Sequence, residues 1–391
     1  MTGPLAGIRV VEITNVVSGP AAGALLADQG AEVIKVEPPA GDIIRRAAEN
    51  GLPAMFISCN RGKHSLALDL KQPPARDIMW RLLATADVFL HNLRPGVMER
   101  LGFGPSEVRD RFPRLVYAAI SGFGETGPYS ARRVYDPLVQ AVSGFADIQA
   151  DGESARPRMI RTVIADKTTA ACAAQAVTAA LFHRERSGHG QDVRISMLDA
   201  MVSLLWPEGM SPFTIVADGG RLPPPSHDRI FETSDGYITA GSVSDREWAG
   251  LCAALDRPGW LRDPMFATQA DRNRNKDRRY AMMAEVFLGR SSAEWIERLD
   301  ENDVPCAPVL RRSEMLEDPQ VRASNIVHEL DQPGVGPIRQ ARPAARFGGS
   351  PAHDPRPAPR IGEHSAQILA ALGYTDTAIR ELARDRVVFG C

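Results

Sequence analysis

The chain of 391 residues is too long for one ordinary core, so two domains are expected. A formal charge of -2 gives no support to a nucleic-acid partner, while leaving room for a local basic pocket that takes a small phosphorylated ligand. The five cysteines form no Cys-x-x-Cys pair and the eight histidines no ligand spacing, so neither a disulfide framework nor a metal site is expected.

In chain order, Ile8 to Thr14 reads as a buried strand rich in β-branched residues. Pro20 suits the first turn of a helix that runs to Gln29, and Gly30 suits the position just past its end. EVIKVE at 32–37 is the next strand, so a right-handed parallel crossover is expected. A helix over 74–84, a strand over 86–91 and another over 115–121 continue the pattern. The first ~200 residues thus predict a doubly wound α/β domain. The run PPPSHDR at 223–229 breaks any regular element. Beyond it come a strand over 236–241 and charged helical text to about 303. The basic run Arg272 to Arg279 is expected to be a solvated helix face. A single helix is expected from Ser365 to about Arg384. The N-terminal MTGPLAGIRVVEIT lacks the cationic start and apolar core of a signal peptide, and no apolar run nears the roughly 20 residues of a bilayer span. A cytoplasmic protein with no membrane partner is the expectation.

Two motifs compete for the chemistry. Gly122-Phe-Gly-Glu-Thr-Gly127 matches Gly-x-Gly-x-x-Gly after a strand, but a dinucleotide site also needs a helix to open within the motif. Pro128, Tyr129 and the residues that follow do not read as that helix, so a flexible turn near a ligand is expected. The second is Asp166, between apolar text at 159–165 and alanine-rich text at 168–182. The pattern places it at the N-cap of a helix ending near Gly188, where a cap contributes roughly 1 kcal/mol. The same helix dipole and free N–H groups would keep the carboxylate ionised and steady an oxyanion. Cap and nucleophile are compatible, and position alone does not choose between them.

Several blocks in order resemble the CaiB/BaiF-type (family III) CoA-transferases along nearly the whole chain. They are GIRVVEIT with GAEVIKVEPP, NRGKHSLALDLK at 60–71, HNLRPGVMERLGFGP at 91–105, SGFGETGPY, Tyr135-Asp136, Ala165-Asp166, RSGHGQDVRISMLDA at 186–200, NDVPCAPVL, and IGEHSAQILAALGY. The resemblance implies a large Rossmann-like α/β domain with a smaller α+β domain, in an interlocked homodimer. The implied divisions are residues 1–206, a linker at 207–229, a small domain at 230–312, and a return to the large domain at 313–391. Proline-rich stretches at 207–229 and 332–360 would be the connectors that thread around the partner. No tightly bound cofactor is implied: coenzyme A and acyl-CoA are substrates, together with a carboxylic acid.

The resemblance also implies a role for Asp166. In the family an aspartate attacks the donor acyl-CoA to give an aspartyl-acyl anhydride and free CoA, and the CoA thiolate later forms the new thioester on the acceptor acid. CoA contacts are implied at Val17, Ser18, Leu68, Asp69, Leu70, Lys71, Asn92, Leu93, Arg94, Arg100, Arg133, Val134, Tyr135 and Asp136. Of these, Lys71, Arg94, Arg100 and Arg133 are the phosphate candidates, with Arg61 and Lys63 as further ones. Pro38 stands where many members carry an adenine-stacking arginine, and no glycine-rich run precedes Phe231 to cover the intermediate. The arginines at 132, 133, 156, 158 and 161 suit a carboxylate-bearing acyl group, with succinyl-CoA as a candidate donor.

The competing reading is an α-methylacyl-CoA racemase-type isomerase. That chemistry needs a base titrating near neutrality, usually histidine. Tyr135 stands at the histidine position and Ser244 at the glutamate position, and tyrosine titrates near about 10. Acyl transfer is therefore the expectation.

Overall fold

The computed structural model describes residues 2–47, 52–150, 156–218, 229–352 and 354–391. The chain divides into two compact units. One is built from Met1–Gln149, Pro157–Gly219 and Ser324–Cys391, the other from Ala150–Arg156 and Gly220–Ala323. Among the described residues the strands are β1 Arg9–Ile13, β2 Glu32–Glu37, β3 His64–Leu68, β4 Val88–His91, β5 Val116–Ser121, β6 Asp192–Ser196, β7 Ile230–Glu232, β8 Tyr237–Ala240, β9 Cys306–Pro308, β10 Val327–Gln332, β11 Gly336–Ala341 and β12 Val388–Phe389.

The first unit carries a mixed α/β sheet in the order β12-β3-β2-β1-β4-β5-β6, parallel throughout except for β12, which pairs antiparallel with β3. Buried parallel strands read as continuous apolar runs because helices cover both faces. β1, β2 and β4 are buried almost throughout but depart from that rule at Glu12, at Lys35 and Glu37, and at His91, all of them buried. One face packs Val11, Ile34, Leu66, Phe89 and Tyr117 against Ile78, Leu82 and Leu369. The other packs Val10, Val33, Val88 and Val116 against Leu26, Ala173 and Val177. Each such large side chain contributes roughly 1.5–3 kcal/mol of burial.

On that second face the helix Ser18–Asp28 lies against the long helix Ile164–Ser187. The contact is made of small residues such as Ala22, Ala170, Ala173 and Ala174, all buried. Alanine favours the helix and lets the pair approach closely. The long helix stops at Gly188, whose φ of 77° lies in the left-handed region that suits glycine at a helix end.

The sheet reverses its winding between β1 and β4. β2 and β3 step outward on one side of β1, β4 to β6 on the other. In such a sheet the loops after adjacent strands part at the carboxyl edge and leave a crevice. Residues 14–17 and 92–94 form the two lips here.

The second unit folds β7-β8-β9 as an antiparallel sheet under helices Asp245–Ala254, Lys276–Phe287 and Ser292–Asp300. Its own core joins Phe231, Ile238, Trp248, Leu251, Phe287 and Trp295. Two of its helices start with capping boxes, Ser244 with Glu247 and Ser291 with Glu294.

Three expectations need correction. The basic run is not one solvated face: Arg272 and Arg279 are only 2% and 6% exposed and lie over the Trp248 ring. The closing helix is two, Ser365–Ala371 and Asp376–Arg384, parted where Gly373 turns at φ 88°. Within the expected connector at 332–360, residues 336–341 are strand β11, which pairs with β10 as an antiparallel hairpin. Most of PPPSHDR, 223–228, lies outside the described residues. No helix among the described residues is long and apolar enough to cross a membrane.

Candidate active site

The lip after β1 is held from beneath by buried charge. Lys35 Nζ donates to the Thr14 carbonyl at 2.7 Å and to Asp42 Oδ2 at 3.2 Å. The other Asp42 oxygen accepts the Val16 N–H at 3.2 Å. Val16 has φ 66°, a left-handed conformation that a β-branched residue adopts only at a cost of order 1–2 kcal/mol. Across the crevice Asn92 accepts the Asn15 N–H and donates to its carbonyl, both at 2.8 Å. Gly19 completes the grip: a Cβ there would stand 2.7 Å from the Thr14 side chain and 2.9 Å from that of Asn92. These contacts aim the start of the Ser18 helix, with its free N–H groups, into the crevice.

Asp166 receives that helix start. Its carboxylate faces the same cavity as Ser18, whose hydroxyl and N–H favour its charged form. This corrects the expected cap. Asp166 is the third residue of its own helix, whose flanking Val163 offers no side-chain cap. The Asp166 N–H is instead satisfied by Asp136 Oδ2 at 3.0 Å, thirty residues back. Gln140 then locks Asp136, donating to Oδ1 at 2.6 Å, while its own Oε1 accepts the Ile160 N–H at 3.0 Å. Asp136 and Gln140 are both buried, so the Asp166 backbone is fixed from behind.

The electrostatics also run against expectation. Burial, and then the neighbouring Asp136 charge, push Asp166 up to about 6, although Ser18 opposes the shift. Among the described residues no lysine or arginine lines the cavity of ≈ 130 Å³ into which Asp166 faces. The carboxylate is therefore held unneutralised, ionised at pH 7–8 yet more basic than an ordinary aspartate. His91, beside Asn92, is no rival base: burial and then Arg194 push it down to about 3, so it stays neutral.

Of the residues named from the sequence, Ser18, Asn92, Val134, Tyr135 and Asp166 share this cavity, with Asn15, Val16, Ile120, Ser121, Gly122 and Met197. Asp136 stands directly behind them. Val17 is buried beside Ser18. Leu68 belongs to the core, and Leu70 and Leu93 pack against it, so their side chains face inward. Asp69 is engaged in its own turn, accepting from the Lys71 N–H and from Gln72 Nε2. Lys71, Arg94, Arg100 and Arg133 are exposed, and none forms an ion pair among the described residues. Arg61 and Lys63 are removed from the list of free cations. Arg61 pairs with Asp28, and Lys63 is buried on Glu12, the Pro20 carbonyl and Asn60. Tyr135 is 65% exposed, and its phenol makes no hydrogen bond among the described residues. In the second unit, Ser244 serves as a helix cap, accepting the Glu247 N–H at 3.2 Å. The glycines at 122–127 form turns, and the next helix begins only at Asp136.

Sequence reasoning missed Asn15, Val16, Ile120, Ser121, Met197 and Gln140, while Gly122 belongs to the turn expected near a ligand. Gln140 carried a signal: it stands four residues after Asp136, the spacing that brings two side chains together on a helix.

The profile of CoA-transferase family III matches residues 5–365. The chain belongs to that family. The family member succinate–glutarate CoA-transferase of Agrobacterium fabrum is 33% identical over 383 residues, covering 94% of this chain and 96% of the relative. Human succinyl-CoA:glutarate CoA-transferase is 32% identical over 397 residues, covering 98% and 90%. The crystal structure of a CAIB/BAIF family protein from Brucella suis shares 30% identity with a TM-score of 0.82, covering 95% of this chain and all of that one. A Mycobacterium tuberculosis structure, at 34% identity, gives the same TM-score over 93% of this chain. This is an enzyme of the family III CoA-transferase kind.

Proposed function

We propose that the protein moves coenzyme A from an acyl-CoA donor to a carboxylic acid through covalent chemistry at Asp166, with succinyl-CoA as the candidate donor. The observation that carries the reading is an unneutralised carboxylate, raised to about 6, facing the crevice at the reversal of the sheet. Dicarboxylate-handling relatives support the donor class.

The proposed steps follow from the groups present. An Asp166 oxygen attacks the thioester carbonyl, and the C–S bond breaks to release CoA thiolate and leave a mixed anhydride. The thiolate attacks the Asp166 carbonyl, expelling the donor acid as its carboxylate and leaving an aspartyl thioester. The acceptor carboxylate displaces the thiolate to form a second anhydride. Attack of the thiolate on the acceptor's carbonyl then frees Asp166 and gives the new acyl-CoA. Every leaving group is an anion, so no external acid is required. Ser18 and its N–H would steady the oxygen on which charge builds. Lys71, Arg94, Arg100 and Arg133 would draw in the CoA phosphates, and Tyr135 would lie along the thioester arm. Leu68, Asp69, Leu70 and Leu93 contribute backbone or shape at most.

The reading also takes the chain as an interlocked homodimer, on the family resemblance, and keeps the expectation of a cytoplasmic protein. A racemase-type isomerisation is disfavoured because Tyr135 stands where that chemistry uses a histidine. Mixing the protein with succinyl-CoA and a panel of carboxylic acids tests the proposal. New acyl-CoA products lost on Asp166→Ala are expected; inversion of a 2-methylacyl-CoA without an acceptor would contradict it.

A further inference from the structure

The second unit holds a cavity of ≈ 830 Å³, lined by Arg229, Ser242, Glu247, Lys276 and Arg279 among others. A volume of that order suits a small organic ligand. Arg279 is the unusual member. It is 6% exposed, its Nε is buried without a hydrogen-bond partner, and among the described residues its guanidinium makes no ion pair. Its contacts are the rings of Tyr280 and Trp248, at 5.1 and 5.9 Å. The contrast is Arg272, which shares the Trp248 ring but is paired with Asp245 and donates to the Phe266 carbonyl. Burying an unpaired charge is costly, and a guanidinium cannot escape by losing its proton.

No carboxylate of the cavity answers it. Glu247 is committed to its helix start, where Oε2 accepts the Val243 and Ser244 N–H groups at 2.7 and 2.9 Å. Arg229 and Lys276 add two more cations with no ion pair among the described residues. Ser242 presents a second orphan, a buried hydroxyl with no hydrogen-bond partner among the described residues. Two residues with unsatisfied polar atoms therefore line one cationic cavity.

We infer that this cavity binds an oxyanion, a carboxylate or phosphate of a small molecule, with Arg279 as its anchor and Ser242 as a second donor. Planar guanidinium donors match either group in a two-point fashion. The inference goes beyond the acyl transfer proposed for Asp166 and does not depend on it.

Titration calorimetry on the full chain carrying Asp166→Ala, which removes turnover, tests it with glutarate and inorganic phosphate as separate probes. Saturable binding of at least one probe is expected. Stronger binding of glutarate assigns the site to a carboxylate, and stronger binding of phosphate to a phosphoryl group. Arg279→Gln should weaken binding at least tenfold in protein whose circular dichroism matches the parent. Should that variant fail to fold, Ser242→Ala should weaken binding severalfold. No saturable binding of either probe overturns the inference. So does unchanged affinity in a folded Arg279→Gln protein or, where that variant does not fold, in Ser242→Ala. Loss of transfer on Asp166→Ala with binding intact separates this site from the proposed chemistry.

Discussion

Glu37 and Asp166 are two buried carboxylates of the same unit, 2% and 8% exposed, with opposite fates. Glu37 receives Arg45 Nε and Nη2 at 2.8 and 2.7 Å, the Ser65 hydroxyl at 2.8 Å and the Asp42 N–H at 3.1 Å. Burial pushes it up, but Arg45 and Lys35 outweigh burial and hold it below the usual carboxylate range. Asp166 has Ser18 beside it but, among the described residues, no cation in its cavity, and a like charge at Asp136, so burial wins and its pKa rises. Burial alone does not make a carboxylate reactive. What separates the structural carboxylate from the candidate nucleophile is which charges are left uncompensated.

The largest expected effect breaks the comparison on the Asp166 side. Asp166→Ala should lower transfer about 10³-fold or more, with the fold intact by circular dichroism. Glu37→Gln should do the reverse: it strands Arg45 and should cost about 3–5 kcal/mol in denaturant unfolding, with little change in activity per folded molecule. Equal damage to activity from both would erase the distinction.

A smaller effect concerns pH. The Asp166 pKa is higher folded than unfolded, so its contribution to stability is full below about 4 and lost as pH rises through about 6. The neutral replacement Asp166→Asn should therefore stabilise the protein at pH 8, by up to about 3 kcal/mol for a shift of this size. The gain should vanish near pH 4, as read from melting temperatures at the two pH values. In the wild type, transfer should fall as pH drops through about 6. Asp136→Asn should move that acid limb to lower pH, because it removes the like charge; a limb that stays put would assign the shift to burial alone.

Much of the frame was legible because local rules agreed with the fold. β-branched runs gave β1, β2, β4 and β5, and Gly188 marked the end of the long helix. Asp166 was legible as a residue but not as an environment. Its backbone N–H is satisfied by Asp136 and its carboxylate stands beside Ser18, both remote in sequence, so a local cap rule assigned the wrong partner. The basic run misled for a similar reason. Arg272 and Arg279 sit on two separate helices, Gln269–Arg274 and Lys276–Phe287, and both face Trp248 although their neighbours Asn273, Arg274 and Arg278 are exposed. Charge composition does not report which face a side chain occupies.

The smallest expected effects belong to the exposed cations. Replacing Lys71, Arg94, Arg100 or Arg133 singly by alanine should raise KM for acyl-CoA by severalfold to about tenfold, with kcat nearly unchanged and the loss shrinking at high salt. A change confined to kcat would remove that residue from the phosphate-binding set.

The most direct test is to trap the covalent state. The enzyme is incubated with succinyl-CoA and hydroxylamine near neutral pH, then digested and read by mass spectrometry. An activated Asp166 is expected to appear as its hydroxamate, dependent on succinyl-CoA and accompanied by loss of activity. An unmodified Asp166 in enzyme that still turns over, or a hydroxamate on Asp136 instead, would contradict the account.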